Sequence, residues 1–471
     1  MLKKIIIVAC CLVMSFAGAQ DEKQFKAGVA TTNITPWNGL SLAGHMADRV
    51  ALRVHDELHV RALVLDNGEA QIAFAIIDSC MVPREIMDAA KIIAAEATGI
   101  ATDHMLISAT HTHTATCATP VFQSDPNVDY NRFLTQRVAD AIALAHTYRV
   151  PAKIGWSSGD LADEVFNRRW HMTPETTLGN PFGTTDQVRM NPPRGSDTMV
   201  KPAGLTDPEI SFIAIQDLAG KPLGLLANYS LHYVGGTNAN EVSADYFGIF
   251  AKRIEALLMD SEGETPFVGM MTNGTSGDIN NINFREIGKQ RKPYEKMTEV
   301  ARKAADVVVK AYQDVEYQSW IPMSAATKSI DLGVRKPSAA EVAEAKEVVA
   351  KAAGPAMKGM IEIYARETVQ LNDYPDTVPV LLQVLKLGDL AIAAVPCEVF
   401  VEIGLDFKAN SPFKDTFTIE LANGYNGYLP TYEQHQLGGY ETWRAKSSYL
   451  EEEADRKIRK TIFELMDTLK D

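Results

Sequence analysis

The chain has 471 residues, with 46 Lys+Arg against 60 Asp+Glu, a formal net charge of −14, and 46% hydrophobic and 23% charged residues. That length excludes a small disulfide scaffold or a lone binding module, and the composition excludes a disordered chain. The acidic balance excludes a general nucleic-acid binder, which needs a basic footprint, but leaves room for an anionic small molecule held by a local arginine cluster.

Residues 1–19 read as a secretory signal: Lys3 and Lys4, a short apolar run over 5–16, then Ala17-Gly18-Ala19. The run is too short to span a bilayer, and no other apolar run reaches that length. Cleavage after Ala19 removes two lysines and leaves 452 residues with a net charge of −16. The protein is therefore expected to be exported, either periplasmic or secreted. Three cysteines remain, Cys80, Cys117 and Cys397. So few, and an odd number, do not make a disulfide framework, and buried thiols are favoured over a single bridge.

Strands are expected over 60–65 and 71–77, split by the Asn67-Gly68 hairpin turn. A helix follows over 83–98, with Pro83 in its first turn and Gly99 as its stop. Next come a strand over 105–109 and a helix over 130–148. Residues 171–206 carry four glycines and five prolines without period, which suggests a substrate-covering loop. Strands over 210–216 and 223–231, a helix over 246–259, a buried strand over 267–271 and a helix over 292–312 continue the alternation. Ser338…Glu341 and Ser448…Glu451 read as capping boxes opening two further helices. No internal repeat or linker is visible. The fold class is mixed α/β, helices packed on sheets, in one large domain over 20–471.

The strongest local signal is Ala109-Thr110-His111-Thr112-His113, directly after an apolar strand. In extended chain His111 and His113 would share a face at a strand end, where a metal site or two surface histidines are both reasonable readings. A second strand ends in His232, and a third runs into Pro396-Cys397-Glu398 at the start of a helix-like run, where a simple cap is the plainer reading for Glu398. The segment from Asn423 through Tyr425, Tyr428 and Thr431 to Tyr440-Glu441 is dense in tyrosine and glycine, as in a shaped pocket wall.

Taken in order, Ala-Thr-His-Thr-His, strand-then-His232, Asn273-Gly274-Thr275-Ser276-Gly277-Asp278, Pro-x-Glu398, and Asn423-x-Tyr425-x-x-Tyr428 to Tyr440-Glu441 resemble the catalytic domain of the neutral/alkaline non-lysosomal ceramidase family. Ala27-Gly28-Val29-Ala30 and the stretch 55–65 resemble that domain's first strands. The resemblance runs through essentially the whole mature chain and implies one zinc ion held by His111, His232, Glu398 and Tyr428. It further implies substrate contacts at His113, Arg168 and Tyr440, with Asp245 and Asp278 supporting the ligands. Two departures stand out. The serine position of ceramidases is Asn280 here, and the C-terminal Ig-like domain that many ceramidases carry is not expected.

A zinc ion either activates water or polarises a carbonyl or carboxylate oxygen. The adjacent Arg168 and Arg169, forked donors matched to a carboxylate, favour an anionic substrate. Tyr425 beside them suits stacking on a sugar ring, and Asn280 is expected to face the substrate. The favoured expectation is a dehydratase or lyase acting on uronic-acid-containing oligosaccharides by metal-assisted β-elimination, with His113 or Tyr440 taking the proton. The alternatives are a zinc amidohydrolase cleaving an N-acyl amide, and a non-catalytic binding protein.

Overall fold

Near-continuous apolar strands build the main sheet, because both of its faces are covered. The computed structural model describes residues 23–259 and 267–470, so the signal segment 1–19 lies outside the described residues. The first half of the chain runs β1 (Lys26–Asn33), β2 (His59–Asp66), β3 (Gln71–Ile77), α1 (Arg84–Thr98), β4 (Met105–Ala109) and α2 (Val128–Thr147). It continues β5 (Val150–Asp160), β6 (Glu209–Asp217), β7 (Pro222–Tyr229), α3 (Asp245–Leu258), β8 (Val268–Asn273) and α4 (Glu295–Tyr312). Spatial order is β8-β7-β6-β5-β1-β2-β3-β4. Only the outermost pairs, β3 with β4 and β7 with β8, are parallel.

This order is a repeat that no residue pattern discloses. Each half contributes a strand, a hairpin, a helix, a parallel edge strand and a second helix, and the halves meet where β1 pairs antiparallel with β5. The sheet curls until β8 approaches β2, β3 and β4, which brings the loops after opposite edges together.

A second sheet fills the inside of the curl. It consists of β9 (Met323–Gly333), β10 (Thr377–Leu387), β11 (Leu390–Val395) and β12 (Asp415–Glu420), in that order, with β11 and β12 parallel. Helices α5 (Ala339–Ala350) and α6 (Gly359–Leu371) form a hairpin between β9 and β10; α7 (Val401–Asn410), α8 (Tyr432–Leu437) and α9 (Ala454–Thr468) complete the chain. Strand alternation sorts the core. On β2, Val60, Ala62 and Val64 face α1 and α2, whereas Leu63 and Leu65 face the second sheet. On β6, Phe212 and Ala214 face α3 and α4, whereas Ile213 and Ile215 point inward. Helices α7 and α9 cover the far side of the second sheet through Phe407, Ile458 and Ile462. Gly28 lets α2 lie directly on β1: a Cβ there would sit 2.1 Å from the Ala145 carbonyl oxygen.

Most sequence-predicted elements form within a few residues of their expected bounds. The Ser338 capping box forms, with Ser338 accepting from the Glu341 amide. Ser448 opens no helix: Arg335 Nη2 donates to both its hydroxyl and its carbonyl, and α9 starts at Ala454. The aperiodic segment holds strands after all, since Arg169–Met172 pairs with Val188–Met190 and Met199–Pro202 in a small sheet. Cys80, Cys117 and Cys397 are buried free thiols. No helix among the described residues is long and apolar enough to cross a membrane.

Asn423 ties the two sheets together. Its Oδ1 accepts from the Ile107 amide of β4 and from Lys91 Nζ of α1, and its Nδ2 donates to Gln383 Oε1 of β10. Lys91 is buried there, and desolvation lowers its pKa from 10.5 to about 8. Between those values the unfolded chain binds more protons than the folded one, so this lysine makes stability rise with pH. Lys91→Met is expected to stabilise the protein by about 1–3 kcal/mol at pH 7, while Asn423 keeps its Ile107 donor. The gain should shrink as pH approaches 10.5. Denaturant unfolding of both proteins at pH 7 and pH 10 checks it; a pH-independent difference would refute the assignment.

Candidate metal centre

Four stretches deliver the centre. Beyond β4, the His111 amide donates to the Ser79 carbonyl, and the backbone turns into the left-handed region at φ 75°. A non-glycine residue held there stores about 1–3 kcal/mol of strain. His111 Nδ1 donates to the Cys80 carbonyl at 2.7 Å, which leaves Nε2 as a bare acceptor. Beyond β7, His232 Nδ1 is bonded in the same way to the Ser276 carbonyl at 3.1 Å. The two Nε2 atoms face each other at 3.1 Å. Glu398 Oε2 lies 3.3 Å from His111 Nε2 and 3.9 Å from that of His232.

Glu398 is no helix cap. It sits in a two-residue ladder, Glu398–Val399 beside Tyr428–Leu429, with Glu398 level with Tyr428, and α7 begins only at Val401. Its Oε1 accepts from the Tyr425 hydroxyl at 3.0 Å, and its Oε2 is buried without a hydrogen-bond partner. Burial pushes the carboxyl up, while Arg168 and the Tyr428 hydroxyl act the other way, and the pKa lies below the ordinary carboxylate value. His232 is driven well below the usual histidine range, first by burial and then by Arg168, so it stays neutral.

Three acceptors, His111 Nε2, His232 Nε2 and Glu398 Oε2, thus converge within 4.8 Å. Such a set is repulsive unless a cation lies among them. Ligands bound tetrahedrally at about 2.0–2.1 Å are about 3.3–3.4 Å apart, and the observed 3.1–3.9 Å brackets that spacing. The donor set fits a metal ion.

His113 Nε2 also lies 3.1 Å from His111 Nε2, but it groups with Cys80 rather than with His232 and Glu398. The left-handed turn at His111, not strand alternation, makes the two histidines converge. The His113 ring stacks on Tyr233 at 3.6 Å, and Gly44 must lack a side chain because a Cβ would lie 2.3 Å from that ring. Burial drives His113 well below the usual histidine range, so it stays neutral. Tyr440 packs edge-on against Tyr428 at 5.9 Å, and burial raises its pKa, so its hydroxyl stays protonated.

The arginines are not free forks. Arg168 donates through Nε to Glu441 Oε1 and through Nη2 to the Gly277 carbonyl and the Tyr428 hydroxyl. Arg169 is fully buried and donates to Glu441 Oε2, to Gln434 and to the Gly438 carbonyl. Its role is scaffolding, and no nitrogen of its fork is left for a substrate. Asn280 closes its own loop, donating to Asn191 and accepting from the Ile282 amide.

Two buried carboxylates escaped sequence reasoning. Glu441 bridges both arginines. Glu420 accepts from the Ser276 hydroxyl and from the Val399 amide, which anchors the supports of His232 and Glu398 together. Asp245, in a left-handed conformation, gathers the Val234 and Gly235 amides just after His232. Asp278 accepts from the Val401 amide and from Asn167.

Two outcomes follow. His111→Ala should lower bound metal from about one ion per chain toward none, read by elemental analysis; unchanged content would refute the ligand assignment. Glu441→Gln leaves two buried guanidinium groups without their shared anion and should cost about 3–5 kcal/mol, read by denaturant unfolding. A change within 1 kcal/mol or so would remove Glu441 from the framework.

Residues 25–299, more than half of the chain, match the sequence profile of the neutral/alkaline non-lysosomal ceramidase N-terminal domain. Neutral ceramidase A of Dictyostelium discoideum is 23% identical over 280 residues, which is 55% of this chain and 36% of that protein. The chain thus spans about a third of the length of this curated relative. The fold is shared with the crystal structure of neutral ceramidase from Pseudomonas aeruginosa, at a TM-score of 0.71 and 14% identity over 96% of this chain and 75% of that one. A structure described as ceramidase complexed with C2 gives 0.72 at 14% identity, over 95% and 75%. These matches overturn the expected lyase or dehydratase and its uronic-acid oligosaccharide, because the family and fold they show are those of ceramidases. The chain belongs to the neutral/alkaline non-lysosomal ceramidase family.

Proposed function

We propose that the protein is an exported, zinc-dependent hydrolase of N-acyl amides, one catalytic domain over 20–471. The observation that carries this reading is the convergence of three proton-free acceptors, His111 Nε2, His232 Nε2 and Glu398 Oε2, in a chain of ceramidase ancestry. His111, His232 and Glu398 would hold the ion, with Tyr428 as fourth ligand. Two histidines and one carboxylate are a common set for catalytic zinc. When bound, the ion would supply Lewis acidity toward a carbonyl and toward water.

The chain's own residues divide the remaining work. Arg168 donates to the Tyr428 oxygen and keeps that atom oriented as an acceptor. Neutral His113, fixed by Tyr233 and Gly44, is suited to accept a proton from water and pass it to the leaving nitrogen. Tyr440, protonated, is suited to donate a hydrogen bond to the oxygen that gains charge as the amide is attacked. Tyr425 holds Glu398 and so acts on the ligand rather than on the substrate. Asn280 in place of the ceramidase serine leaves the reaction without a side-chain hydroxyl at that position.

The test is product analysis. The zinc-loaded protein is incubated with ceramide and with N-acyl amino acids, and products are read by mass. Gain of water with release of a fatty acid, abolished by a chelator and restored by zinc, is expected. Loss of water with a new ultraviolet-absorbing double bond, or no turnover of any amide, would sink the proposal. His113→Ala and Tyr440→Phe should each lower kcat by about 10²–10³-fold with bound zinc retained.

A further inference from the structure

The arginines around the centre differ in their partners. Arg61 pairs with Asp78, and Arg168 and Arg169 share Glu441. Arg49 pairs with no carboxylate among the described residues, and its neighbour in the chain, Asp48, is exposed. Among those residues its guanidinium makes one hydrogen bond, from Nη2 to the His113 carbonyl at 3.1 Å. Its Nε is buried without an acceptor, which is costly for a charged donor. Burial lowers its pKa, and the group that opposes this is Tyr233 rather than an acid.

A hairpin fixes this side chain beside the centre. Ser41–Leu42 pairs with Arg49–Val50. The Ala43 amide donates to the Ala115 carbonyl, and the Cys117 amide donates to the Ser41 carbonyl. The hairpin is thereby stitched to the stretch that follows His113. Its tip brings His45 edge-on to the His113 ring at 5.9 Å. Burial, and then the charge of Arg49, lower the His45 pKa from 6.5 to about 4, so His45 stays neutral and adds no second charge. His111 and His232 are buried, whereas His45, Arg49, His113 and Tyr233 are each partly exposed. Arg49 thus stands on the side of the centre that meets solvent.

We propose that Arg49 binds a carboxylate carried on the leaving amine, so that the substrate is an N-acyl α-amino acid. The inference rests on the amide-hydrolase reading, in which His113 passes a proton to the leaving nitrogen. Arg49 is bonded to the His113 backbone, which puts it on the nitrogen side of the amide rather than the acyl side. In an N-acyl α-amino acid the carboxylate sits on the carbon bonded to that nitrogen; a ceramide carries no anion there. A guanidinium meets a carboxylate with paired N–H donors, and Nη1 of Arg49 donates to no atom among the described residues. Hydrolysis consumes one water. The amide C–N bond breaks, the hydroxyl joins the acyl carbon, a proton joins the nitrogen, and a carboxylic acid and a free amino acid leave. Arg49 forms no covalent bond and acts by selection.

The test compares N-octanoylglycine with the uncharged N-octanoylglycinamide, with release of octanoate read for both. Wild-type kcat/KM is expected to favour the acid about 10–100-fold, and Arg49→Gln to erase that preference. Arg49→Met, which keeps the packing of the stem, should erase it too. No preference in the wild type, or a preference kept by the folded variants, overturns the proposal. An equal loss on both substrates overturns it as well, because Arg49 then does no more than hold His113. The second arm needs no turnover. The ketone analogue of octanoylglycine, in which a methylene replaces the amide nitrogen, is titrated calorimetrically into the zinc-loaded protein beside its own primary amide. Tighter binding of the acid, lost in Arg49→Gln, is expected. If neither octanoyl amide is hydrolysed but this difference is present, the hydrolase reading fails and the Arg49 site stands. If both are hydrolysed alike and the two ketones bind alike, the hydrolase reading stands and the Arg49 site fails.

Discussion

Three acceptor atoms held face to face inside a protein interior are the constraint around which this molecule is organised. His111 Nε2, His232 Nε2 and Glu398 Oε2 would separate if left to themselves, and a solvated alternative would relieve each of them. The fold holds them by the opposite ends of the same side chains. The Cys80 and Ser276 carbonyls take the Nδ1 protons of the two histidines, and Tyr425 takes the other oxygen of Glu398. Glu420 then accepts from both the Ser276 hydroxyl and the Val399 amide, which ties the support of His232 to the strand that carries Glu398. The left-handed backbone at His111 is the local expression of the same tension.

Around that centre, charge is arranged for position more than for recognition. Arg168 and Arg169 are adjacent in sequence and both buried, and one carboxylate, Glu441, serves both. A buried pair of this kind is a poor source of net stability, because desolvation offsets most of the attraction, but it is costly to break. It fixes the loop that carries Tyr440 against the loop that carries Tyr428. An arginine pair read in sequence as a grip on an acidic substrate is here the internal clamp of the tyrosine wall.

What was legible in the sequence follows from the physics of strand ends. His111 and His232 stood out because apolar strands delivered them to turns, and Glu398 and Tyr428 because their flanking prolines, glycines and tyrosines matched a known order. Gly28 and Asn423 belonged to matched motifs, and their packing now explains why. Glu420 and Glu441 were not legible as framework, since a buried acid and a solvated one are the same letter until partners are known. The repeat of strand, hairpin, helix, strand and helix was also hidden, because topology repeats without shared residues. The Ser448 box failed because Arg335, more than a hundred residues away in sequence, captured the serine that a local rule assigned to a helix.

The site divides along the same line as the fold. His111 and His232 come from the two halves of the repeat, within the residues that carry the family profile, whereas Glu398 and Tyr428 come from the second sheet and its loops, beyond them. The curled main sheet alone supplies the two imidazoles and not the carboxylate. The second sheet inserts the carboxylate and, through Asn423, bonds back to β4, the strand that precedes His111. The candidate centre therefore depends on the docking of the two sheets. The two imidazoles thus depend on the first half of the chain, and the carboxylate that faces them depends on the second.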